Sequence, residues 1–181
     1  MKKLFKTSAL CIALAFGVCS TIQAQDFKGL DKSPMDASAF PSSYKEANKT
    51  IKVVYSRPQL NGRNLSDLAP EGKVWRTGAN EATEITFYKS VTFGDKTLKP
   101  GSYSLFTIPG DKTWTIILSS DVNVWGAYSY NEAHDVAREN GIVSTDTESV
   151  EAFSIAFTGD DKNPIMHLAW GTTRVQVPFK L

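Results

Sequence analysis

Thiols are scarce and confined to one end of the chain. Its two cysteines, Cys11 and Cys19, both precede Ala24. Residues 25–181 therefore have no disulfide, no thiolate zinc site and no cysteine nucleophile. Histidine is as rare, with only His134 and His167. A metal centre needs several N, O or S ligands converging on one point, so neither metal nor cofactor is expected. Neither sign of charge dominates, with 20 Lys and Arg against 19 Asp and Glu. There is no Gly-x-Ser-x-Gly nucleophile elbow and no glycine-rich phosphate loop. The longest apolar run, Ala9 to Val18, is about half of the roughly 20 residues that a spanning helix needs.

What is present begins with an address. Lys2, Lys3 and Lys6 precede the apolar run, and Ser20-Thr-Ile-Gln-Ala24 ends on a small residue suited to cleavage. This is the pattern of a secretory signal peptide over residues 1–24, and it predicts an exported protein, periplasmic or secreted, with no stable membrane insertion. Phe16-Gly17-Val18 is a poor setting for lipid attachment at Cys19. Cleavage would remove three of the 20 basic residues and no acidic one, leaving 17 against 19, a net charge of −2. Such a near-neutral domain has no electrostatic reason to hold nucleic acid.

Residues 25–50 are polar and broken by Pro34 and Pro41, yet carry Leu30, Met35, Phe40 and Tyr44. These large apolar anchors predict an extended N-terminal arm packed on the domain. From Ile51 to the end the pattern is short β runs separated by turn residues. Ile51 to Ser56 stops at Arg57-Pro58, and Thr83 to Lys89 alternates. Gly94-Asp95 joins a tight hairpin, and Pro109-Gly-Asp-Lys112 joins Ser102–Ile108 to Thr113–Ser119. Asn131 to Glu139 reads as a short helix or, through Val136 to Ser144, as a strand, with the strand favoured in an all-β chain. Ala152 to Phe157 alternates, and Ile165–Trp170 and Thr173–Phe179 read as a final hairpin turning at Gly171-Thr172. The expected fold is all-β: one antiparallel β-sandwich or barrel of about nine strands over residues 51–181, with the arm against it.

The richest stretch is Gly72 to Phe87, where Trp75, Arg76, Asn80 and Glu81 surround a Gly78-Ala79 bend. Arginine offers a planar fork of donors to carboxylates, phosphates and sugar hydroxyls. After the signal the chain has five: Arg57, Arg63, Arg76, Arg138 and Arg174. One expectation is that Arg57, Arg76, Asn80 and Arg174 converge on one face, with Trp75, Trp125 or Tyr128 as an apolar wall and Glu81 beside them. The competing expectation is that these arginines pair internally with carboxylates and loop carbonyls and pin the loops. Trp114 and Trp170 lie in alternating strands and read as core.

The stretches Tyr55-Ser-Arg-Pro58, Asn61-Gly-Arg63, Gly72-Lys-Val-Trp-Arg-Thr-Gly-Ala-Asn-Glu81, Gly101-Ser-Tyr-Ser-Leu-Phe-Thr-Ile-Pro109, Trp125-Gly-Ala-Tyr128 and Trp170-Gly-Thr-Thr-Arg174 occur in an order that resembles the family called domain of unknown function 2911. Its members look like exported bacterial proteins, found largely in Bacteroidetes. The likeness runs from about Asp31 to Leu181 and implies no reaction, substrate or cofactor.

Three readings of function follow. The first is an exported binding module for a polar or anionic small ligand, a saccharide or envelope fragment, at Arg57, Arg76, Asn80, Glu81, Trp125 and Arg174. The second is an envelope interaction or scaffold protein that meets a partner through Val122 to Tyr130. The third is a hydrolase using Glu81 with a partner the sequence does not name. No catalytic triad, metal set or phosphate loop supports an enzyme.

Overall fold

The computed structural model describes residues 26–181; the signal expected over residues 1–24 lies outside them. The described residues form β1 (Met35–Phe40), β2 (Ile51–Ser56), α1 (Leu65–Leu68), β3 (Thr83–Phe87), β4 (Val91–Phe93), β5 (Lys96–Leu98), β6 (Gly101–Ile108), β7 (Thr113–Ser119), β8 (Asp135–Gly159) and β9 (Pro164–Pro178). Seven strands make one antiparallel sheet in the order β1-β2-β3-β6-β7-β8-β9, and β4 and β5 form a separate hairpin. Among the described residues no helix is long and apolar enough to cross a membrane.

The sheet curls until it almost closes. Beyond β2, where Pro58 has no N–H to offer a ladder, the chain meets β8: Phe153 N donates to Pro58 O at 2.9 Å and Leu60 N to Glu151 O at 3.0 Å. The Tyr55 hydroxyl accepts from Ile155 N at 2.9 Å across the same seam, and burial there pushes the phenol's pKa up. The arm contributes a strand, since β1 pairs with β2 from Met35 opposite Ser56 to Phe40 opposite Ile51.

Alternation places the inward side chains. Ile51, Val53 and Tyr55 of β2, Ile85 and Phe87 of β3, and Trp114, Ile116 and Leu118 of β7 are buried in one cluster. Phe153, Ile155 and Phe157 of β8 and Met166, Leu168 and Trp170 of β9 meet them. Each such side chain stabilises the fold by about 1.5–3 kcal/mol relative to exposure. Phe106 and Ile117 are buried too but stand outside this cluster, paired with each other in the β6–β7 register. Phe106 packs edge-on to Tyr130 at 5.1 Å, which lays the segment after β7 over the outer face of the sheet.

Of the two readings of residues 131–144, the strand is found. Asn131 caps only a three-residue 3-10 turn, Glu132–His134, and β8 starts at Asp135. The strand runs through Asn140-Gly141 without a break, and a Cβ at Gly141 would stand 2.7 Å from Val175 Cγ1, so glycine suits that close contact with β9.

The C-terminal hairpin expected at Gly171-Thr172 is corrected. Residues 164–178 are one strand, whose two halves both pair with β8, Leu168 opposite Ile155 and Val175 opposite Val143. Gly171, at φ 56°, bends the strand instead of reversing it. A matching irregularity in β8 between Thr145 and Ser154 lets the long β8–β9 ribbon fold over the core.

Candidate functional site

The segment Trp75–Glu84 is held at both ends by backbone bonds. Trp75 N donates to Thr107 O at 2.7 Å, Thr107 N returns to Trp75 O at 2.9 Å, and Thr83 N donates to Arg76 O at 3.1 Å. Between these clamps the chain turns sharply. Thr77 is fully buried and left-handed at φ 55°, and Asn80 follows at φ 60°. A β-branched residue in that region is an outlier worth about 1–3 kcal/mol. It is maintained by a side-chain bond from Thr77 Oγ1 to Thr107 Oγ1 at 3.2 Å and one from Thr83 Oγ1 to Thr77 O at 2.6 Å.

A second segment lies beside the first. Ala82 N donates to Val124 O at 3.0 Å and Gly126 N to Asn80 O at 2.9 Å, so Glu81 pairs with Trp125. Trp125 is 60 % exposed and Tyr128 84 %. Gly126 is in the left-handed region, and a Cβ there would meet the Tyr128 ring at 2.7 Å and Arg76 Nη1 at 3.6 Å. The loop therefore brings an aromatic ring and a guanidinium to the same side of one glycine. Asp31, from the arm, is held below the usual carboxylate range by the Ser33 N–H first, 2.7 Å away, and by the Asn80 side chain second.

The five arginines have different fates. Arg57 donates from Nε to Phe153 O at 3.1 Å, from Nη2 to Ser154 Oγ at 2.8 Å and from Nη1 to Asp36 at 2.9 Å. Arg174 is bound to Asp146, to the Gly171 and Thr173 carbonyls and, at 2.6 Å, to Glu148 O. Arg63 caps the carbonyls of Leu60 and Gln59. Arg138 bonds Asp135 and the Tyr130 hydroxyl and pairs with Glu132. Arg76 has no acceptor among the described residues, and its Nε is shut off from solvent without a partner.

Of the residues singled out from sequence, Arg76, Asn80, Glu81 and Trp125 thus share one loop face. Arg57 and Arg174 are occupied at the β8 seam and at the β8–β9 bend, and share no partner with Arg76. Trp75 is not part of the exposed wall. It stacks on Trp170 at 5.5 Å and meets Trp114 and Phe153 edge-on. Sequence reasoning missed Thr77, whose left-handed backbone no local pattern signals, and Asp31. Among the described residues no group of three His, Cys, Asp or Glu side chains could hold a metal. His134 Nδ1 lies 2.8 Å from Asp121 Oδ2 and His167 Nε2 lies 2.6 Å from Thr158 Oγ1, so each histidine has a local partner.

This contrast predicts stabilities. Arg57→Ala and Arg174→Ala each remove bonds from a charged donor and are expected to lower unfolding stability by about 1–3 kcal/mol. Arg76→Ala removes an unsatisfied buried donor together with the packing of its methylenes, two opposed effects, and no comparable loss is expected. Urea unfolding of the three variants checks the order.

The loop that carries Trp125 is anchored by Tyr130. Its hydroxyl donates to Asp135 Oδ2 at 2.7 Å, and burial first, then that carboxylate, push the phenol's pKa up to about 12. The unfolded chain loses this proton near pH 10, so the contribution of Tyr130 is complete below that value. It should be lost as pH rises from about 10 to about 12. A fall in stability over this window, absent in Tyr130→Phe, is the expected result in pH-dependent urea unfolding.

A nearly closed antiparallel β structure, with one exposed loop face that presents an unpaired arginine beside aromatic rings, is the class that the geometry defines. Residues 37–179 match the family described as protein of unknown function, DUF2911. The chain belongs to that family. No curated protein and no solved structure matches it.

Proposed function

We propose that this protein is an exported binding module that takes a polar or anionic small ligand at Arg76, with Asn80 and the aromatic rings of Trp125 and Tyr128 around it. The observation that carries the reading is the unsatisfied guanidinium: four of the five arginines after residue 24 are bonded, and Arg76 is not. A buried donor left without an acceptor costs about 1–3 kcal/mol, and a ligand oxyanion or hydroxyl at the fork would offset that cost. Exposed indole and phenol faces add stacking area for a sugar ring. The hydrolase alternative gains no acid or base hydrogen-bonded to Glu81.

Tryptophan fluorescence tests the reading, since Trp125 is exposed and Trp75, Trp114 and Trp170 are buried. Titration with glucuronate and galacturonate is expected to give a saturating change that Trp125→Phe silences and Arg76→Ala abolishes with the fold intact. Saturation that survives Arg76→Ala would sink the assignment.

The exposed Val122, Trp125 and Tyr128 also favour the partner-binding reading. It predicts a self-associating or captured species that Trp125→Ala releases in sedimentation.

A further inference from the structure

A cleft of about 330 Å³ lies between α1, the turn that joins β6 to β7 and the bend of the β8–β9 ribbon, and Trp114 lines it. That volume falls within the range of small-ligand sites, about 300–1,000 Å³. Backbone bonds hold its walls in place. Gly72 N donates to Pro109 O at 2.9 Å and Val143 N to Lys112 O at 3.0 Å, which ties the turn to the segment before Trp75 and to β8. Gly110 suits the turn because a Cβ there would stand 2.6 Å from Thr113 O. In a further wall Thr145 of β8 stands opposite Thr173 of β9, so two hydroxyls meet at the bend. The cleft shares no lining residue with the Arg76 face. Between them, residues 72–75 run antiparallel to the end of β6, with Gly72 bonded to Pro109 and Trp75 to Thr107, so the cleft and the guanidinium lie beyond opposite ends of that segment.

The cleft contains a buried donor with nothing to bind. Trp114 is only 3 % exposed. A buried indole usually finds an acceptor for its N–H, as Trp170 does in Glu151 O at 3.1 Å. The N–H of Trp114 has no acceptor among the described residues, yet it is not one of the unpartnered polar atoms sealed from solvent, which are Arg76 Nε and Asp135 Oδ1. It therefore opens into the cleft that Trp114 lines. Around this donor stand the carboxylates of Glu71 and Asp111 and the hydroxyls of Ser66, Thr145 and Thr173, with apolar surface from Leu65 and Val143.

These groups select a ligand by what each would refuse. An anion could accept from the indole but would meet two carboxylates of its own sign. A cation could satisfy the carboxylates but would face the positive end of the N–H dipole, and no group of three His, Cys, Asp or Glu side chains among the described residues could hold a metal. An apolar molecule would leave the buried N–H without an acceptor. A neutral ring bearing several hydroxyls meets every demand: one oxygen accepts from Trp114, other hydroxyls donate to Glu71 and Asp111, and its C–H face covers Leu65 and Val143.

We propose that this cleft is a second binding site, for a neutral sugar residue, oriented by the buried Trp114 N–H and held by Glu71 and Asp111 as acceptors of its hydroxyls. The assignment does not depend on the Arg76 site. Uronates favour the guanidinium and neutral pyranosides the cleft, so either can fail without the other. The sugar is a free monosaccharide or one residue of a glycan chain.

The test follows the Trp114 indole resonance by NMR while the isotopically labelled protein is titrated with the methyl pyranosides of glucose, galactose, mannose and N-acetylglucosamine. At least one is expected to shift that resonance saturably, together with the amides of Gly110, Asp111 and Thr173. Asp111→Ala, at an exposed turn position, should weaken this binding about tenfold, Glu71→Ala should also weaken it, and Arg76→Ala should leave it unchanged. No indole shift with any of these glycosides at about 50 mM, far above a millimolar Kd, would overturn the proposal. So would equal binding of cyclohexanol or of glucuronate at the same resonances, or an affinity unaltered in both carboxylate variants. If Asp111→Ala fails to fold, Glu71→Ala and the cyclohexanol comparison decide it. A trisaccharide that binds more tightly than its monomer identifies a glycan chain as the source, and equal affinity identifies a free sugar.

Discussion

Trp75→Ala is expected to lose about 3–5 kcal/mol of unfolding stability, a large part of the roughly 5–15 kcal/mol that a domain of this size has. Trp75 stacks on Trp170 with planes 15° apart and touches Trp114 and Phe153 edge-on at 6.0 and 5.1 Å. Aromatic pairs of this kind contribute beyond their buried area. The four rings come from the loop before β3, from β7, from β8 and from β9, so no single strand can close the hole. Urea unfolding should show a lower midpoint with an unchanged slope, and the variant should bind poorly at Arg76 as well. That second effect follows from the two bonds between Trp75 and Thr107, which fix the residue that precedes the guanidinium. A midpoint within about 1 kcal/mol of the parent would mean that the ring is not part of the core.

Gly159→Ala should be nearly as damaging for a different reason. Gly159 ends β8 at φ 101°, a backbone region that L side chains rarely adopt, and a Cβ there would collide with the carbonyl oxygen of Asn163. Backbone cannot give way as a flexible side chain can, so conformational strain of about 1–3 kcal/mol adds to a steric clash. The turn from Gly159 to Pro164 sets the register of the whole β8–β9 ribbon. Gly62→Ala serves as the comparison, because Gly62 is also left-handed, at φ 74°, but faces open space. It should lose only about 1 kcal/mol. Equal losses in the two variants would show that the collision at Asn163 contributes nothing.

The Arg76 face was half legible in the chain. Trp75, Arg76, Asn80 and Glu81 fall within seven positions, and three of them do share a surface with Trp125. Which arginine is left unpaired could not be read, because arginines bond to whatever the fold carries to them. Arg57 meets Phe153, 96 residues away in sequence, and Arg174 meets Glu148 across the bend of the ribbon.

The sequence by itself determined that this is an all-β chain with a thiol-free body, whereas the ninth strand comes from the arm, Met35–Phe40. Period-two alternation and turn residues are local properties that survive any arrangement of the strands. It also determined that Trp114 and Trp170 are interior, since Trp114 stands between two threonines and Trp170 continues the one-in-two apolar series Met166, Leu168. Tertiary structure alone decided that residues 164–178 are one bent strand and that Trp75 is core and not wall. It decided too that, of the five guanidinium groups among the described residues, that of Arg76 has no acceptor. A glycine that bends a strand and a glycine that reverses it look alike in sequence, and only pairing with β8 distinguishes them. Whether a charge is satisfied depends likewise on groups that reach it through space, and those contacts exist only once the sheet has curled and nearly closed.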